Sequence, residues 1–306
     1  MIRPIGPIGQ ISRILRKKFY FFLFIFFGLA AGIASQWPDG RMRVVLCDVG
    51  QGDGILLTQG FTQVLVDGGP NSRVVDCLSG NMPFWDRKVE VVIATHPDKD
   101  HITGLADVIE NYNVISFVSI NRANKTAEFE ELRKAVLQGR TPVHIAKTGD
   151  KVVVGKIKLD ILWPEENKSE QLVWVREKNE QVLGESSGDS SSNDFSVVAK
   201  ASFGKFDVLL TGDISKSIEE KLVERFDLSG IEVLKVAHHG SKYSTSKELL
   251  EEVRPKVALI GVGKNNWGHP DGEVLGELGK LGVKILRTDT MGEMEVVSDG
   301  DRFWEK

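Results

Sequence analysis

The chain reads as an α/β (α+β) protein: two β-sheets packed together with helices over both outer faces, preceded by an amino-terminal hydrophobic helix. Three observations predict this. Short Val-, Ile- and Leu-rich runs recur from residue 44 to residue 286 at hairpin spacing. Stretches with helical spacing of apolar positions interrupt them, which calls for helices laid against sheets. An uncharged block, Phe19–Ala34, stands ahead of both. With 306 residues, 41% hydrophobic and 27% charged, the composition is that of a globular protein of one or two domains.

The leader comes first. Arg13, Arg16, Lys17 and Lys18 precede the Phe-rich block, whose length lies between a signal-peptide core and the ~20 residues that span a bilayer. Gly32-Ile33-Ala34 offers a cleavage site, and the basic cluster should stay cytoplasmic and leave the rest of the chain outside. Residues 1–38 are therefore a membrane anchor or signal segment, and residues 39–306 one folded domain. Strands are expected at Val44–Cys47, Ile55–Thr58, Val64–Val66, Val91–Ala94, Val114–Ile120, Lys151–Val154, Ile157–Leu162, Ser196–Ala201, Val208–Leu210, Val233–Val236, Val257–Ile260 and Val283–Leu286. Helices are expected near Ile102–Glu110, Thr126–Leu137, Ile214–Arg225, Thr245–Val253 and Glu273–Leu281. Thr245-Ser246-Lys247-Glu248 reads as a capping box whose helix terminus could receive a phosphate oxygen. The Ser/Gly-rich stretch Gly184–Asn193 reads as a mobile loop. Cys47 and Cys77 could pair in an oxidising compartment, although isolated buried thiols are the commoner state.

Candidate chemistry sits where apolar runs end. Thr95-His96-Pro97-Asp98-Lys99-Asp100-His101 follows the run Val89–Ile93 and puts two imidazoles and two carboxylates within six residues. His96 and Asp98 can point one way while Asp100 and His101 serve a neighbouring point, an arrangement suited to two adjacent divalent ions. A helix cap formed by Asp98 or Asp100 would need one such side chain, not four. Asp67 in Val66-Asp67-Gly68-Gly69, Asp213 in Thr211-Gly212-Asp213, His238-His239-Gly240-Ser241 and His269 in Trp267-Gly268-His269-Pro270 occupy comparable positions after strand-like runs. His144 has no such setting and reads as a surface or satisfied structural residue.

These motifs resemble, in kind and order, those of the metallo-β-lactamase superfamily. The finer pattern is similar to the carboxy-terminal hydrolase domain of the ComEC family of competence DNA-uptake proteins. It is carried by Asp48-Val49-Gly50-Gln51-Gly52-Asp53, Leu65–Gly69, Thr95–Leu105, Asn193–Val198, Leu210–Asp213, Lys235-Val236-Ala237-His238-His239-Gly240-Ser241-Lys242, Gly268-His269-Pro270 and Arg287-Thr288-Asp289, from about Arg43 onward. The resemblance implies an αββα sandwich and a hydrolase using a metal-bridged hydroxide. It implies two divalent ions, Zn2+ or Mn2+, with His96, Asp98 and a bridging Asp213 on one, and Asp100, His101, Asp213 and His238 on the other. Asp100, His238, His239 and His269 would act in catalysis. Asp48, Asp67 and His239 would support ligands from behind, with His239 able to exchange roles with His238. Ser241, Lys242, Asn265 and Arg287 would contact substrate. Where the superfamily often supplies a further histidine, this chain offers only Asn193, Asp194 and Ser196.

Charge narrows the function. The net charge is −4; residues 1–34 hold five basic and no acidic groups, leaving 34 basic against 43 acidic elsewhere. That balance argues against a protein that coats nucleic acid indiscriminately. An enzyme differs because its metal supplies the positive charge, aided by Lys99, Lys242, Lys264 and Arg287 in or beside the motif loops. The resemblance implies DNA as the substrate, the leader implies the membrane as a partner, and the resemblance leaves open a separate DNA-uptake channel subunit, whose existence the sequence does not show. The alternatives are a small-molecule hydrolase acting on a lactone, β-lactam or phosphorylated metabolite, and a non-enzymatic binding module.

Overall fold

In the computed structural model, which describes residues 7–165 and 192–306, the chain divides after Asp39 into two compact units. The first is one helix, α1 (Pro7–Ser35), of which Leu15–Ser35 is long and apolar enough to cross a membrane. Its phenylalanine rings are exposed, a surface that water does not favour.

The second unit runs β1 (Met42–Leu46), β2 (Ile55–Gln59), β3 (Thr62–Val66), α2 (Arg73–Asn81), β4 (Lys88–Ile93), α3 (Lys99–Asn111), β5 (Asn113–Ser119), α4 (Ala127–Gly139) and β6 (Val143–Ile145). It continues through β7 (Lys151–Val154), β8 (Ile157–Trp163), β9 (Val198–Phe203), β10 (Phe206–Leu210), α5 (Lys216–Arg225), β11 (Val233–Lys235), α6 (Lys247–Val253) and β12 (Val257–Ile260). It ends with α7 (Gly272–Lys280), β13 (Lys284–Arg287), α8 (Thr288–Met291), β14 (Met294–Ser298) and β15 (Phe303–Glu305). One sheet has the order β15-β14-β1-β2-β3-β4-β5-β6, the other β13-β12-β11-β10-β9-β8-β7.

Side-chain alternation assembles the layers. Along β1, Val44 points into the space between the sheets, which it shares with Ile161, Ala201 and Val208. Val45 points the other way, against Val74 and Leu78 of α2 and Leu105 of α3. In the second sheet Leu209 and Leu234 pack outward on Leu222 of α5, Leu250 of α6 and Leu278 of α7. Strands buried on both faces need apolar residues at successive positions, which is why they read as continuous runs. The result is the expected αββα sandwich.

The parallel pairs β3–β4 and β10–β11 deliver the motif loops to one edge. There Val197 donates its N–H to the Thr95 carbonyl at 2.9 Å and joins the two sheets.

Several expectations need correction. β6, β14 and β15 were not anticipated; β14 completes the first sheet by pairing with β1, Met42 opposite Ser298, a contact no local pattern encodes. Cys47 and Cys77 form a disulfide, with Cα atoms 5.7 Å apart, because α2 folds back over the end of β1. The capping box fails: Thr245 is in the left-handed region (φ 60°), and Ser246 caps α6 through Leu249 N–H. That helix end is also occupied, since the buried Glu219 carboxylate accepts the Thr245 and Ser246 N–H groups at 2.7 and 2.5 Å. It is not a free phosphate site. Apart from its last two residues, the Gly184–Asn193 loop lies outside the described residues.

Candidate metal centre

Three buried imidazoles line the centre. His96 follows β4 and has Nδ1 3.0 Å from Thr95 Oγ1 and 3.3 Å from Ser196 Oγ. His101, in the first turn of α3, has Nδ1 2.8 Å from Asp67 Oδ2. His239, in the loop after β11, has Nδ1 2.7 Å from the Gly261 carbonyl. In all three the Nε2 is buried without a hydrogen-bond partner among the described residues. An imidazole held at one nitrogen and open at the other is oriented as metal-binding histidines are.

Carboxylates complete the centre. Asp213 Oδ2 lies 3.3 Å from His101 Nε2 and 3.5 Å from His239 Nε2. Asp100 Oδ2 is 3.4 Å from His239 Nε2, and Asp98 Oδ2 is 3.7 Å from His96 Nε2. Asp98 stands at the N-cap position of α3 without capping it through its side chain. Its other oxygen instead accepts from Ser192 Oγ at 2.9 Å and Asn124 Nδ2 at 3.2 Å. Asp67, at φ 60°, accepts Thr95 N–H and Thr95 Oγ1–H, both at 2.8 Å, besides its contact with His101. His238 and His239 are also left-handed, at φ 51° and 54°. Such backbone strain costs on the order of 1–3 kcal/mol per residue and collects where side-chain direction matters.

Two residues of the centre carry no prior assignment. Asp53 is buried 3.6 Å from His239 Nδ1, and Lys235 is buried with its ammonium against the Asp53 carboxylate. Lys235 Nζ also donates to the Gly212 carbonyl at 2.9 Å and lies 3.5 Å from Asp213 Oδ1. Asp53, His101, Asp213 and His239 all offer ligand atoms within 4.8 Å of one another. Because the lysine already neutralises Asp53, we place that carboxylate behind His239 and not on an ion. A side chain at Gly261 would collide with Asp53 Oδ1, so this close approach requires glycine.

Electrostatics fit a cation. Burial disfavours charge on His101 and His239, yet Asp213 and its neighbouring carboxylates outweigh it, holding His101 well above the usual imidazole range and His239 at about 10. Against the same burial, the two histidines and Lys235 hold Asp213 well below the usual carboxylate range. His96, buried beside His101, is pushed down. The protons on His101 and His239 thus serve as counter-charges that a divalent ion would replace, as metal binding generally displaces ligand protons. The mixed nitrogen and oxygen donors suit zinc or a harder ion such as manganese.

The remaining sequence candidates are distributed unevenly. His238 is about a third exposed, with Nε2 3.9 Å from Asp213 Oδ2 and 3.5 Å from Asn193 Nδ2. Burial pushes its pKa down. Of the adjacent pair it is therefore His239 that has the ligand-like arrangement. His269 lies beside His238, ring centroids 5.6 Å apart. Asp48 is half-exposed and 3.8 Å from Arg73, so the inner carboxylate of its motif is Asp53. Asn265 spends its amide on its own loop, holding Gly263, Trp267 and His269 backbone groups. Arg287 is engaged by Asp289 at 3.0 and 2.7 Å, and buried Ser241 accepts Tyr243 N–H at 3.3 Å. Lys242 is exposed, its ammonium 5.1 Å from the Tyr243 ring centroid. Asp53 was visible in its motif, but a lone lysine inside a strand carries no signal of its contacts.

No family model matches the chain. It is 28% identical over 210 residues to ComE operon protein 3 of Bacillus subtilis, covering 68% of this chain and 24% of that one. It is 28% identical over 279 residues to Recombination protein 2 of Haemophilus influenzae, covering 88% and 30%. The chain thus spans about a quarter to a third of the length of these curated relatives. Among solved structures it resembles the metallo-β-lactamase fold protein YhfI of Bacillus subtilis, at TM-score 0.51 and 14% identity over 87% of this chain and 100% of that one.

Proposed function

We propose that this metallo-β-lactamase-fold chain, similar to competence proteins, is a metal-dependent phosphodiesterase acting on DNA. The observation that carries the hydrolase reading is the set of three buried Nε2 atoms without hydrogen-bond partners among the described residues, those of His101 and His239 facing Asp213 and Asp100 and that of His96 facing Asp98. His96, Asp98 and Asp213 would hold one divalent ion, and Asp100, His101, Asp213 and His239 a second. Two such ions, when bound, would supply a Lewis acid for the phosphoryl oxygen and lower the pKa of a water so that it can act as nucleophile.

The chain's own groups do the positioning. Asp67, itself held by Thr95, orients His101, the Gly261 carbonyl fixes His239, and Ser196 steadies both His96 and the Asp213 backbone. His238, partly exposed and beside His269, is placed to exchange a proton through Nε2 with a group entering from solvent. DNA as substrate is supported by the competence relatives, and the membrane as location by α1. The Cys47–Cys77 disulfide supports a domain outside the cytoplasm, where such bonds persist.

The test is the full chain in detergent, reconstituted with Mn2+ or Zn2+ and offered single- and double-stranded DNA beside a panel of lactones, β-lactams and phosphate esters. DNA cleavage that requires metal and disappears in Asp100→Ala is expected. Hydrolysis confined to the small-molecule panel would replace this reading with the small-molecule alternative.

A further inference from the structure

The imidazoles of the centre do not stop at His239. From the buried end, ring centroids follow one another from His96 to His101 at 4.1 Å, to His239 at 5.2 Å, to His238 at 6.2 Å and to His269 at 5.6 Å. The series ends at Trp267, whose ring lies 6.4 Å from His269 and within 22° of parallel to it. Trp267 is 70% exposed. A large apolar ring in water needs a reason, and one that continues a row of rings from a hydrolytic centre has a functional one.

The loop carrying it is built rather than loose. Asn265 Oδ1 accepts the Trp267 and His269 N–H groups at 3.1 and 3.0 Å, and Asn265 Nδ2 donates to the His269 carbonyl at 2.8 Å. The loop is tied to the His238–Tyr243 loop by Asp271 N–H on the Gly240 carbonyl at 2.8 Å. That second loop presents exposed Lys242 and Tyr243, and the first presents exposed Lys264. Aromatic faces with flanking cations, leading from solvent to a site for phosphodiester hydrolysis, are the parts from which single-strand binding grooves are made.

We propose that Trp267 is a base-stacking residue that seats a nucleotide of single-stranded nucleic acid beside the metal centre, one face packed on His269 and the other offered to a base. The inference rests on the phosphodiesterase reading for its choice of ligand. A stacked base fixes the neighbouring phosphate without any hydrogen bond to a base edge, so recognition would tolerate any sequence. It also explains how an acidic domain can hold a strand for which its overall charge provides no attraction.

The experiment measures equilibrium binding by fluorescence anisotropy, using the metal-loaded 306-residue chain in detergent at low temperature. Two labelled probes of equal length are compared, oligodeoxythymidylate and an abasic oligomer with the same sugar-phosphate backbone. Wild type should bind the thymidylate probe about fivefold to a hundredfold more tightly. Trp267→Ala should abolish that preference, Trp267→Phe should retain it, and both should unfold at the wild-type temperature because the ring is exposed. Equal weakening on both probes would assign Trp267 a role in holding His269 only and overturn the proposal. A preference absent from wild type, or unchanged in Trp267→Ala, would overturn it as well. Running each probe on a gel afterwards reports cleavage separately, so failure of the phosphodiesterase reading is distinguishable from failure of the stacking one.

Discussion

Replacing Lys235 by Met removes a single ammonium from the best-buried part of the centre and leaves two aspartates without their fixed counter-ion. Lys235 Nζ lies against Asp53, 2.9 Å from the Gly212 carbonyl and 3.5 Å from Asp213 Oδ1, with about 1% of the side chain exposed. At an effective dielectric constant near 20, the Asp213 contact alone is worth about 5 kcal/mol before desolvation is subtracted. Breaking a buried pair by deleting one partner costs about 3–5 kcal/mol net. At roughly 2–4 °C per kcal/mol for a domain of this size, the metal-free chain should unfold on the order of 10 °C lower. The assay is thermal unfolding of the full chain in detergent with chelator, for wild type, Lys235→Met, Asp53→Asn and the double variant. Because a neutral residue at 53 no longer needs the lysine, the double variant should recover much of the loss, giving a coupling energy typical of contacting residues. A Lys235→Met protein that melts within about 2 °C of wild type, or a double variant no better than the single one, would refute the reasoning.

Other consequences are open to measurement. His239→Ala should lose bound metal while His238→Ala keeps it, read by elemental analysis; equal loss in both would remove the distinction between these neighbours. Burial raises the Glu219 pKa above its usual value, so its stabilising contribution is complete below pH 4.5 and is lost as pH rises through the higher folded-state pKa. Denaturant unfolding from pH 4 to 7 should therefore show Glu219→Gln gaining on wild type as pH rises, and a pH-independent difference would contradict this. The Cys47–Cys77 bond closes a loop of sequence separation 30, for which chain entropy predicts about 3–4 kcal/mol. The Cys47→Ala/Cys77→Ala protein should show that loss in denaturant unfolding, and a loss below about 1 kcal/mol would mean the reduced chain is already constrained there.

The sequence by itself determined what depends on neighbouring residues. Short runs with apolar residues at successive positions specify strands buried on both faces, so the strands leading to Asp67, His96 and Asp213 were legible, as was the apolar helix α1 from its uncharged, phenylalanine-rich run. The crowding of His96, Asp98, Asp100 and His101 into one turn was likewise readable as metal chemistry. Tertiary structure alone decided between adjacent candidates. His238 and His239 look equivalent in sequence, but left-handed backbone at both sends one ring toward Asn193 and His269 and the other onto the Gly261 carbonyl. Asp48 and Asp53 share a motif, yet only Asp53 meets Lys235, a residue 182 positions away. The pairing of β14 with β1 and the Glu219 carboxylate at the start of α6 are equally non-local. Local spacing sets the direction of side chains within an element, whereas which buried charges end up paired depends on which elements are brought together, and no stretch of sequence contains both partners.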